Sequence, residues 1–269
     1  MTRTYALVNQ KGGVGKTTTA ISLAAFMAEG GLRVLLVDLD PQANATSCLG
    51  IAQSHVDGGI YQVMVGGHPA PEKILHNARL DLSLLPSTPA LAGAQIELVN
   101  VAEREKVLAR ALAPLADRYD YVLIDCPPSL GLLTVNALAA ADGVLVPVQC
   151  EYLALEGLSS LVATLQRVRA GLAPRLTLRG IALTMFDART HLSQDVVQEV
   201  RRHFPGQVFR TVIPRSVRLA EAPSHGLPIS AYDPASSGGR AYQALTRELL
   251  GGDGLRLRPR PPRSVEVNR

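Results

Sequence analysis

The sequence predicts an α/β protein in which a mostly parallel sheet is flanked by helices in a doubly wound arrangement. Short runs of Val, Leu and Ile alternate with longer runs rich in Ala and Leu along the whole chain, and this alternation is typical of parallel sheets with helical connections. The strand-like runs are apolar without interruption, as expected when helices cover both faces of a sheet. Aromatic residues make up only 4% of the chain against 47% hydrophobic residues, so we expect an aliphatic core.

The predicted elements follow one another without a break in composition. The strand-like segments are 4–9, 33–38, 82–87, 121–128, 143–149 and 176–186. The helical segments are 16–29, 130–140, 153–169, 193–203 and 238–250. We therefore expect one domain over 1–250. The Gly-, Pro- and Arg-rich segment 251–269 is predicted to be a flexible basic tail, because its prolines oppose a helix.

Composition excludes several classes of protein. The cysteines, Cys48, Cys126 and Cys150, are too few and too scattered for a disulfide framework or a four-thiolate metal site. The longest apolar stretch, 130–148, is interrupted by polar residues, which argues against a membrane span, and the N-terminus lacks the pattern of a signal peptide. We expect a cytoplasmic protein in a reducing compartment.

Charge is distributed unevenly along the chain. The net charge is +4, yet segment 175–220 alone holds eight arginines and only three acidic residues. A basic C-terminal third on a mildly acidic body is typical of a surface that meets a polyanion. On charge alone, a solvated Arg-rich face with no partner explains the pattern equally well.

The most informative motif is the string KGGVGKTT at 11–18, which lies between a strand-like run and a helical run. This is the context that a phosphate-binding loop requires. Three of its first five residues are glycines, which allow the backbone to approach phosphate oxygens closely. Lys16 would supply positive charge to the β and γ phosphates, and Thr17 a hydroxyl for Mg²⁺.

The loop departs from the general phosphate-loop pattern in one position. The first glycine of that pattern would fall at Gln10, which is followed by an additional lysine, Lys11. This departure, together with DLDPQANAT at 38–46, LIDCPPSLG at 123–131 and IPRSVRLAEAPSHG at 213–226, closely resembles the ParA/Soj partition ATPases. These belong to the deviant Walker A family, which also includes MinD and the nitrogenase iron protein.

The resemblance implies an ATPase that uses ATP and Mg²⁺ and sandwiches two nucleotides in a homodimer. Lys11 matches the signature lysine that reaches the partner's nucleotide, where a cation stabilises transition-state charge. Asp40 matches the carboxylate that helps to position the attacking water, and Asp125 the acid that holds Mg²⁺ through water. From the residues alone, Asp40 would equally suit a turn before Pro41, and Asp125 a helix N-cap.

Residue by residue, the resemblance assigns three sets of contacts. The implied catalytic residues are Lys11, Lys16 and Asp40, and the implied metal-binding residues are Thr17, Asp40 and Asp125. The implied nucleotide-binding residues are Lys11, Gly12, Gly13, Val14, Gly15, Lys16, Thr17 and Thr18 in the loop, with Met185, Pro214 and Arg215 around the adenine. Met185 would equally suit a place in the core.

The resemblance also implies partners. Relatives bind duplex DNA without sequence preference, which needs only arginines on one face, and Arg189 and Arg218 match the DNA-binding positions. Arg215 is a further candidate for either DNA or nucleotide. A ParB-type centromere-binding protein, with a basic N-terminal segment, is the implied activator, and the nucleoid is the implied location.

Two other members of the wider family fit less well. A membrane-bound MinD-type ATPase needs a C-terminal amphipathic helix, whereas this chain ends in LRLRPRPPRSVEVNR, in which three prolines oppose a helix. An electron-transfer reductase with a bridging iron–sulfur cluster needs two suitably placed cysteines in each chain. Cys126 directly follows Asp125 and does not match that placement.

Overall fold

The computed structural model describes residues 2–152 and 154–257. This part of the chain forms one eight-stranded sheet in the order β3-β4-β2-β5-β1-β6-β7-β8. The strands are β1 Arg3–Leu7, β2 Val34–Asp38, β3 Leu75–Asn77, β4 Leu82–Leu85, β5 Tyr121–Asp125, β6 Gly143–Gln149, β7 Thr177–Phe186 and β8 Val208–Pro214. The edge strand β3 runs antiparallel to β4, and the other described neighbours pair in parallel. The predicted fold class is confirmed.

Helices connect the strands and cover both faces of the sheet. They are α1 Lys16–Glu29, α2 Asn44–Cys48, α3 Gly59–Met64, α4 Ala70–Lys73, α5 Leu91–Glu97, α6 Val107–Leu112, α7 Leu132–Ala140, α8 Ala154–Gly171, α9 His191–His203, α10 Val217–Glu221, α11 Ile229–Tyr232 and α12 Ser237–Gly252. None of these helices is long and apolar enough to cross a lipid bilayer.

The core consists of two layers, one on each side of the sheet. Successive residues of β1 point to opposite faces, so that Tyr5 and Leu7 belong to one layer, while Ala6 and Val8 belong to the other. All five residues of β2 are buried. A central strand that is covered on both sides has no solvent face, which explains its uninterrupted apolar sequence.

The C-terminal segment differs from the prediction. A flexible tail was expected over 251–269, but α12 continues to Gly252. The Asp253 side chain is only 5% exposed, and Leu257 packs against one of the two core layers. Residues 258–269 lie outside the described part of the chain, so the prediction of a basic tail stands only for them.

A polar network explains why the chain stays attached beyond α12. The Asp253 carboxylate accepts hydrogen bonds from the Tyr5 hydroxyl at 2.9 Å, the Tyr121 hydroxyl at 2.7 Å and Arg179 Nε at 2.8 Å. The Arg3 guanidinium lies 3.5 Å away. These partners come from β1, β5 and β7, so the network fastens the end of α12 to the amino-terminal ends of three strands.

Candidate nucleotide-binding site

The opposite edge of the sheet brings the predicted motifs together. In the parallel register, Leu7 of β1 and Asp38 of β2 both lie beside Asp125 of β5. The chain therefore leaves β1 at the point where two strands each end in an acid. The carboxyl ends of parallel strands are where α/β proteins place their ligands.

The loop between β1 and α1 depends on glycine at two positions. Gly13 and Gly15 have φ angles of +74° and +87°, in the left-handed region that other residues adopt at a cost. Val14 between them is buried, and its carbonyl accepts a hydrogen bond from the Thr184 hydroxyl at 2.8 Å. This contact anchors the loop to β7. α1 begins directly after it at Lys16, so the positive end of a 14-residue helix adjoins the loop.

A cavity of about 360 Å³ lies over the loop. On one side it is lined by loop and α1 residues, namely Gly12, Gly13, Gly15, Lys16, Thr17, Thr18, Ile21 and Ser22. Its apolar side consists of Met185, Leu219, Ala222, Pro223, Leu227, Pro228 and Ile229. A polar floor with cationic and amide groups beside an apolar wall suits a ligand that joins phosphates to a flat base.

Lys16 is placed to bind an anion in this cavity. Its side chain is buried, and among the described residues the hydrogen bond that Nζ donates is a long one, 3.4 Å, to the Lys11 carbonyl. Burial lowers the pKa of the Lys16 ammonium, and the negative charges of Asp125 and Asp40 oppose that shift. Removing an ammonium from water is unfavourable without a counter-charge, so the site favours a bound anion.

Three aspartates lie at or just beyond the carboxyl ends of β2 and β5, and their surroundings differ. Asp125 is fully buried, and within residues 2–152 and 154–257 neither of its oxygens has a hydrogen-bond partner. Burial, reinforced by the charge of Asp38, holds the pKa of Asp125 well above its usual range. Asp38 accepts hydrogen bonds from the backbone N–H and hydroxyl of Thr46, at 2.8 and 2.7 Å, and burial raises its pKa to about 6. Asp40 accepts one from the Gln42 N–H at 2.9 Å.

These oxygens fit a magnesium ion. Mg²⁺ in phosphate sites is held by one or two protein oxygens together with phosphates and waters, and a buried, unpartnered carboxylate is otherwise unfavourable. Thr17 is close enough to Asp125 to lower its pKa, although the pair does not reach hydrogen-bond geometry. No group of three or more His, Cys, Asp or Glu side chains suited to a metal occurs in the described residues, so phosphate oxygens would have to complete the set.

Lys11 lies on the outer side of the same loop. Its side chain is 55% exposed and forms an ion pair with Glu151, in which Nζ lies 3.0 Å from Oε2. The backbone N–H of Lys11 donates to Asn9 Oδ1 at 3.0 Å. The two lysines of one loop thus face different surroundings, because Lys16 is buried beside the cavity and Lys11 is turned towards solvent.

The remaining predicted nucleotide contacts are only partly brought together. Met185 lines the cavity, with a φ of +52° that is strained for a residue other than glycine. Pro214 and Arg215 are not among the described residues that line it. The Arg215 N–H donates to the Phe186 carbonyl at 2.9 Å, so the pair lies next to Met185 at the end of the neighbouring strand.

Sequence reasoning missed two parts of the site. Asp38 was not predicted, although it ends an apolar strand in the same way as Asp125. The apolar wall, which includes Leu219 and the segment 222–229, was also not assigned. That segment is a series of short turns around Pro223 and Pro228, and such turns carry no periodic signal.

The two predicted DNA-binding arginines are not among the described residues that line the cavity, and both are paired within the chain. Arg189 is 85% exposed and holds Asp187 through two hydrogen bonds, from Nε at 2.9 Å and from a terminal nitrogen at 2.7 Å. Arg218 donates to Glu221 at 2.9 Å and lies 3.5 Å from Asp233. By contrast, Arg179 from the same basic segment belongs to the Asp253 network.

A phosphate loop between the central strand and the first helix, with a buried acid at the end of the adjacent strand, defines a P-loop nucleotide hydrolase. Residues 2–178 match the family model described as an AAA domain. The chain is 55% identical to the chromosome partitioning protein ParA of Myxococcus xanthus, over 97% of this chain and 91% of that protein. It is 52% identical to the sporulation initiation inhibitor protein Soj of Bacillus subtilis, over 93% and 98%. The chain belongs to the ParA/Soj family of chromosome-partitioning ATPases and is itself an ATPase.

Solved structures agree with this assignment of the fold. Cobyrinic acid a,c-diamide synthase from Mycobacterium smegmatis, with bound ADP and magnesium, is 38% identical with a TM-score of 0.83, over 97% of this chain and 100% of that one. The septum site-determining protein MinD from Pyrococcus horikoshii, complexed with Mg-ADP, is 25% identical with a TM-score of 0.75, over 93% and 96%. Related chains of this fold therefore bind a nucleotide together with magnesium.

Proposed function

We propose that ATP and Mg²⁺ bind over the phosphate loop and drive formation of a nucleotide-sandwich homodimer, which binds duplex DNA without sequence preference until slow hydrolysis releases it. The observation that carries this proposal is that the two lysines of one loop have different surroundings, Lys16 buried beside the cavity and Lys11 exposed. Lys16 serves the cavity of its own chain. Lys11 does not line that cavity and would reach the nucleotide of a second chain once it leaves its exposed ion pair with Glu151.

Within one subunit, the described side chains have separable tasks in hydrolysis. Lys16 and the loop backbone hold the phosphates, while Thr17 and Asp125 offer oxygens to Mg²⁺. When bound, Mg²⁺ would neutralise charge on the β and γ phosphate oxygens. Asp40 uses one oxygen to accept the Gln42 N–H and retains the other to orient the attacking water. The sequence motifs supply no strong general base, so basal turnover should be slow.

Gly12 supports the approach of a second subunit. A Cβ atom built at this position meets no described atom within 4 Å, and its φ is not in the left-handed region. The contacts within one described chain therefore do not require glycine here, which leaves the bound phosphates or a second subunit as the reason. A partner's backbone lying over the loop would give one, since only glycine permits such a close approach.

The DNA surface in this proposal is narrower than the whole basic segment. Arg179 is engaged with Asp253 and offers little to a ligand. Arg189 and Arg218 are exposed, and their pairs with acids at the surface contribute little stability, so DNA phosphates can compete for both. A dimer doubles the number of arginines that face the duplex and makes binding depend on ATP.

We further propose that a ParB-type centromere-binding protein accelerates hydrolysis and that the protein acts on the nucleoid in the cytoplasm. The ParA and Soj names of relatives at about 50% identity support this role. A partner that promotes hydrolysis would reset the dimer to weakly binding monomers, which allows repeated rounds of attachment and release.

The test is a gel shift on one unrelated 60-mer duplex with ATP, with ADP and without nucleotide. We expect binding only with ATP, with log affinity falling linearly against log salt. Arg189→Ala with Arg218→Ala should weaken binding and flatten the salt slope by about one unit for each phosphate that is no longer neutralised. The matched control is Arg110→Ala with Arg118→Ala, two arginines from α6 and the segment after it, which should bind as the wild type does.

A chain that ends after Leu257 completes the comparison. It removes the basic residues 258–269 and should lose less affinity than the double arginine variant, because Arg189 and Arg218 are the proposed phosphate contacts. If this truncation abolishes the shift while the double variant retains it, the DNA surface is not at Arg189 and Arg218. If the ATP-loaded wild type does not shift the duplex at low salt, the DNA-binding function itself is wrong.

A further inference from the structure

A second concave feature lies between the start of α8 and the first turns of α9, and it shares no described lining residue with the nucleotide cavity. It encloses about 340 Å³ and is lined by Glu151, Leu155, Glu156, Asp195, Val196 and Glu199, among others. We call it the α8–α9 groove. Its floor is apolar and four carboxylates stand around it, while no described Lys, Arg or His lines it.

The groove leaves apolar surface exposed to water and leaves some of its carboxylates without a described ion-pair partner. Tyr152 at its edge is 75% exposed, a large aromatic surface left in water. In the described part of the chain, Glu156 and Asp195 have no ion-pair partner, while Glu199 is shared with Arg202 and His203 on α9, at 3.5 and 3.6 Å. An apolar floor with a rim of one charge complements a ligand that carries apolar side chains between cations.

The groove is also continuous with the phosphate loop. Glu151 lines it and at the same time forms the 3.0 Å ion pair with Lys11. The amide of Gln149 donates to the other carboxylate oxygen of Glu151. A cation placed in the groove therefore competes with Lys11 for one carboxylate. A surface ion pair of this kind is weak, so such an exchange is easily reached.

From these observations we propose that the α8–α9 groove is the docking site for a basic segment of a partner protein that inserts an apolar side chain between the carboxylates and takes Glu151 from Lys11. Lys11 is then released to reach the nucleotide of a second subunit. The proposal rests on the proposed function in one respect, since it supplies the place where a basic activator would act. The binding event itself needs neither ATP nor DNA.

The probe is a fluorescein-labelled peptide of twelve residues in which each Arg and each Leu is followed by a Ser. It is titrated with the full nucleotide-free chain, and fluorescence anisotropy measures its binding. One control peptide has Glu in place of Arg, and another has Ser in place of Leu. We expect only the peptide with both Arg and Leu to bind, and its affinity to fall with salt. Equal binding of the peptide without Leu would mean diffuse attraction and would overturn the proposal.

Variants of the protein locate the site. Glu156→Gln with Asp195→Asn should weaken peptide binding about fivefold, since two exposed charge pairs are removed. The matched control, Glu72→Gln with Glu105→Gln, removes two carboxylates outside the groove and should leave the affinity within about twofold. All four side chains are at the surface, and circular dichroism checks that each variant folds. If both double variants lose peptide affinity equally, the assignment of the peptide to the α8–α9 groove is wrong.

The link to the phosphate loop has its own readout. Lys11→Met removes the internal competitor for Glu151 and should tighten peptide binding about twofold to fivefold. Unchanged affinity would show that the peptide does not engage Glu151. A chain truncated after Leu257 must bind as the full chain does, because much tighter binding would make this chain's own basic end the occupant. Failure of DNA binding in the gel shift leaves all of these outcomes unaffected, so the two proposals fail separately.

Discussion

A buried carboxyl group lies at each end of β5, and the two groups differ in their hydrogen bonding. At the amino end, the Tyr121 hydroxyl donates to Asp253, whose carboxylate is also held by Tyr5 and Arg179. At the carboxyl end, Asp125 is fully buried, and no described group donates a hydrogen bond to it. One end of β5 thus contacts a carboxylate with several hydrogen-bond donors, and the other end carries a carboxyl group with no described donor.

The two ends of the sheet therefore have different roles. The end with Asp253 stabilises the fold, and the end with Asp125 forms the ligand site. The Asp253 network joins β1, β5, β7 and the end of α12, and every partner gains a hydrogen bond. Asp125 lowers the stability of the ligand-free protein, because a buried carboxyl group without a described hydrogen-bond partner is unfavourable. Such a cost is tolerated at a site whose ligand supplies the missing partner.

The largest effect should come from the lysine at the functional end. Lys16→Ala removes the buried ammonium beside the cavity and should weaken ATP binding about 100-fold or more, since several charge-assisted hydrogen bonds to phosphate are removed with it. Isothermal titration with a slowly hydrolysed ATP analogue measures this. Lys11→Ala in the same loop is the control and should retain binding within a few fold. Equal decreases in both variants would remove the division of labour between the two lysines.

The next effect concerns assembly at the same end. Gly12→Val places a side chain where the described chain leaves open space, so folding and ATP binding should be preserved. The ATP-dependent dimer should be lost, because the added methyl groups meet the second subunit. Light scattering after size exclusion, with ATP present, gives the mass. A dimer of normal mass in this variant would contradict the sandwich arrangement.

Exchanging the two carboxylates for amides tests the comparison directly. Asp253→Asn leaves Arg3 and Arg179 without a counter-charge and should lower stability by about 2–4 kcal/mol, while ATP hydrolysis persists at low temperature. Asp125→Asn should abolish Mg²⁺-dependent hydrolysis and raise the melting temperature of the empty protein by roughly 2–5 °C. Calorimetry and phosphate release give both quantities. If Asp253→Asn stopped hydrolysis in the folded protein, the two ends would not be separable.

The smallest effect is a pH dependence of the stability difference between the wild type and Asp125→Asn. Burial holds the pKa of Asp125 above its ordinary value of 3.8, so the folded chain keeps a proton that the unfolded chain has released. The stability of the wild type relative to Asp125→Asn must therefore decline as the pH rises above about 4. Melting curves in EDTA between pH 4 and 8 should show the advantage of Asp125→Asn growing from near zero. For Asp38→Asn, the change should be complete soon after pH 6, since the pKa of Asp38 is about 6.

Local sequence signals were sufficient for the phosphate loop and the central strands. α1 and β6 have the predicted bounds, 16–29 and 143–149, because glycines, aliphatic runs and their flanks specify them locally. β8 was missed because it lies at an edge and carries exposed residues such as Arg210. Its pattern therefore has neither a continuous apolar run nor a clean alternation.

What the sequence concealed depends on distant partners. Asp253 looks like part of a polar tail, because Tyr5, Tyr121 and Arg179 are far from it in the chain and meet it only in the fold. The apolar wall of the cavity is also set by tertiary position, since turns around prolines show no period. The ion pair between Lys11 and Glu151 likewise joins residues that no motif connects.

The place of β1 in the sheet has a consequence for the making of the protein. β1 precedes the other described strands in the chain but lies between β5 and β6, so neither of its neighbours exists when it leaves the ribosome. At the usual rate of ~5–20 residues per second, β5 follows on the order of ten seconds later. α12, whose Tyr242 meets Thr19 of α1 at 2.9 Å, arrives last. The phosphate loop and α1 therefore gain their full set of described neighbours only after α12 has been made, and we expect a chain terminated before α12 to bind ATP poorly.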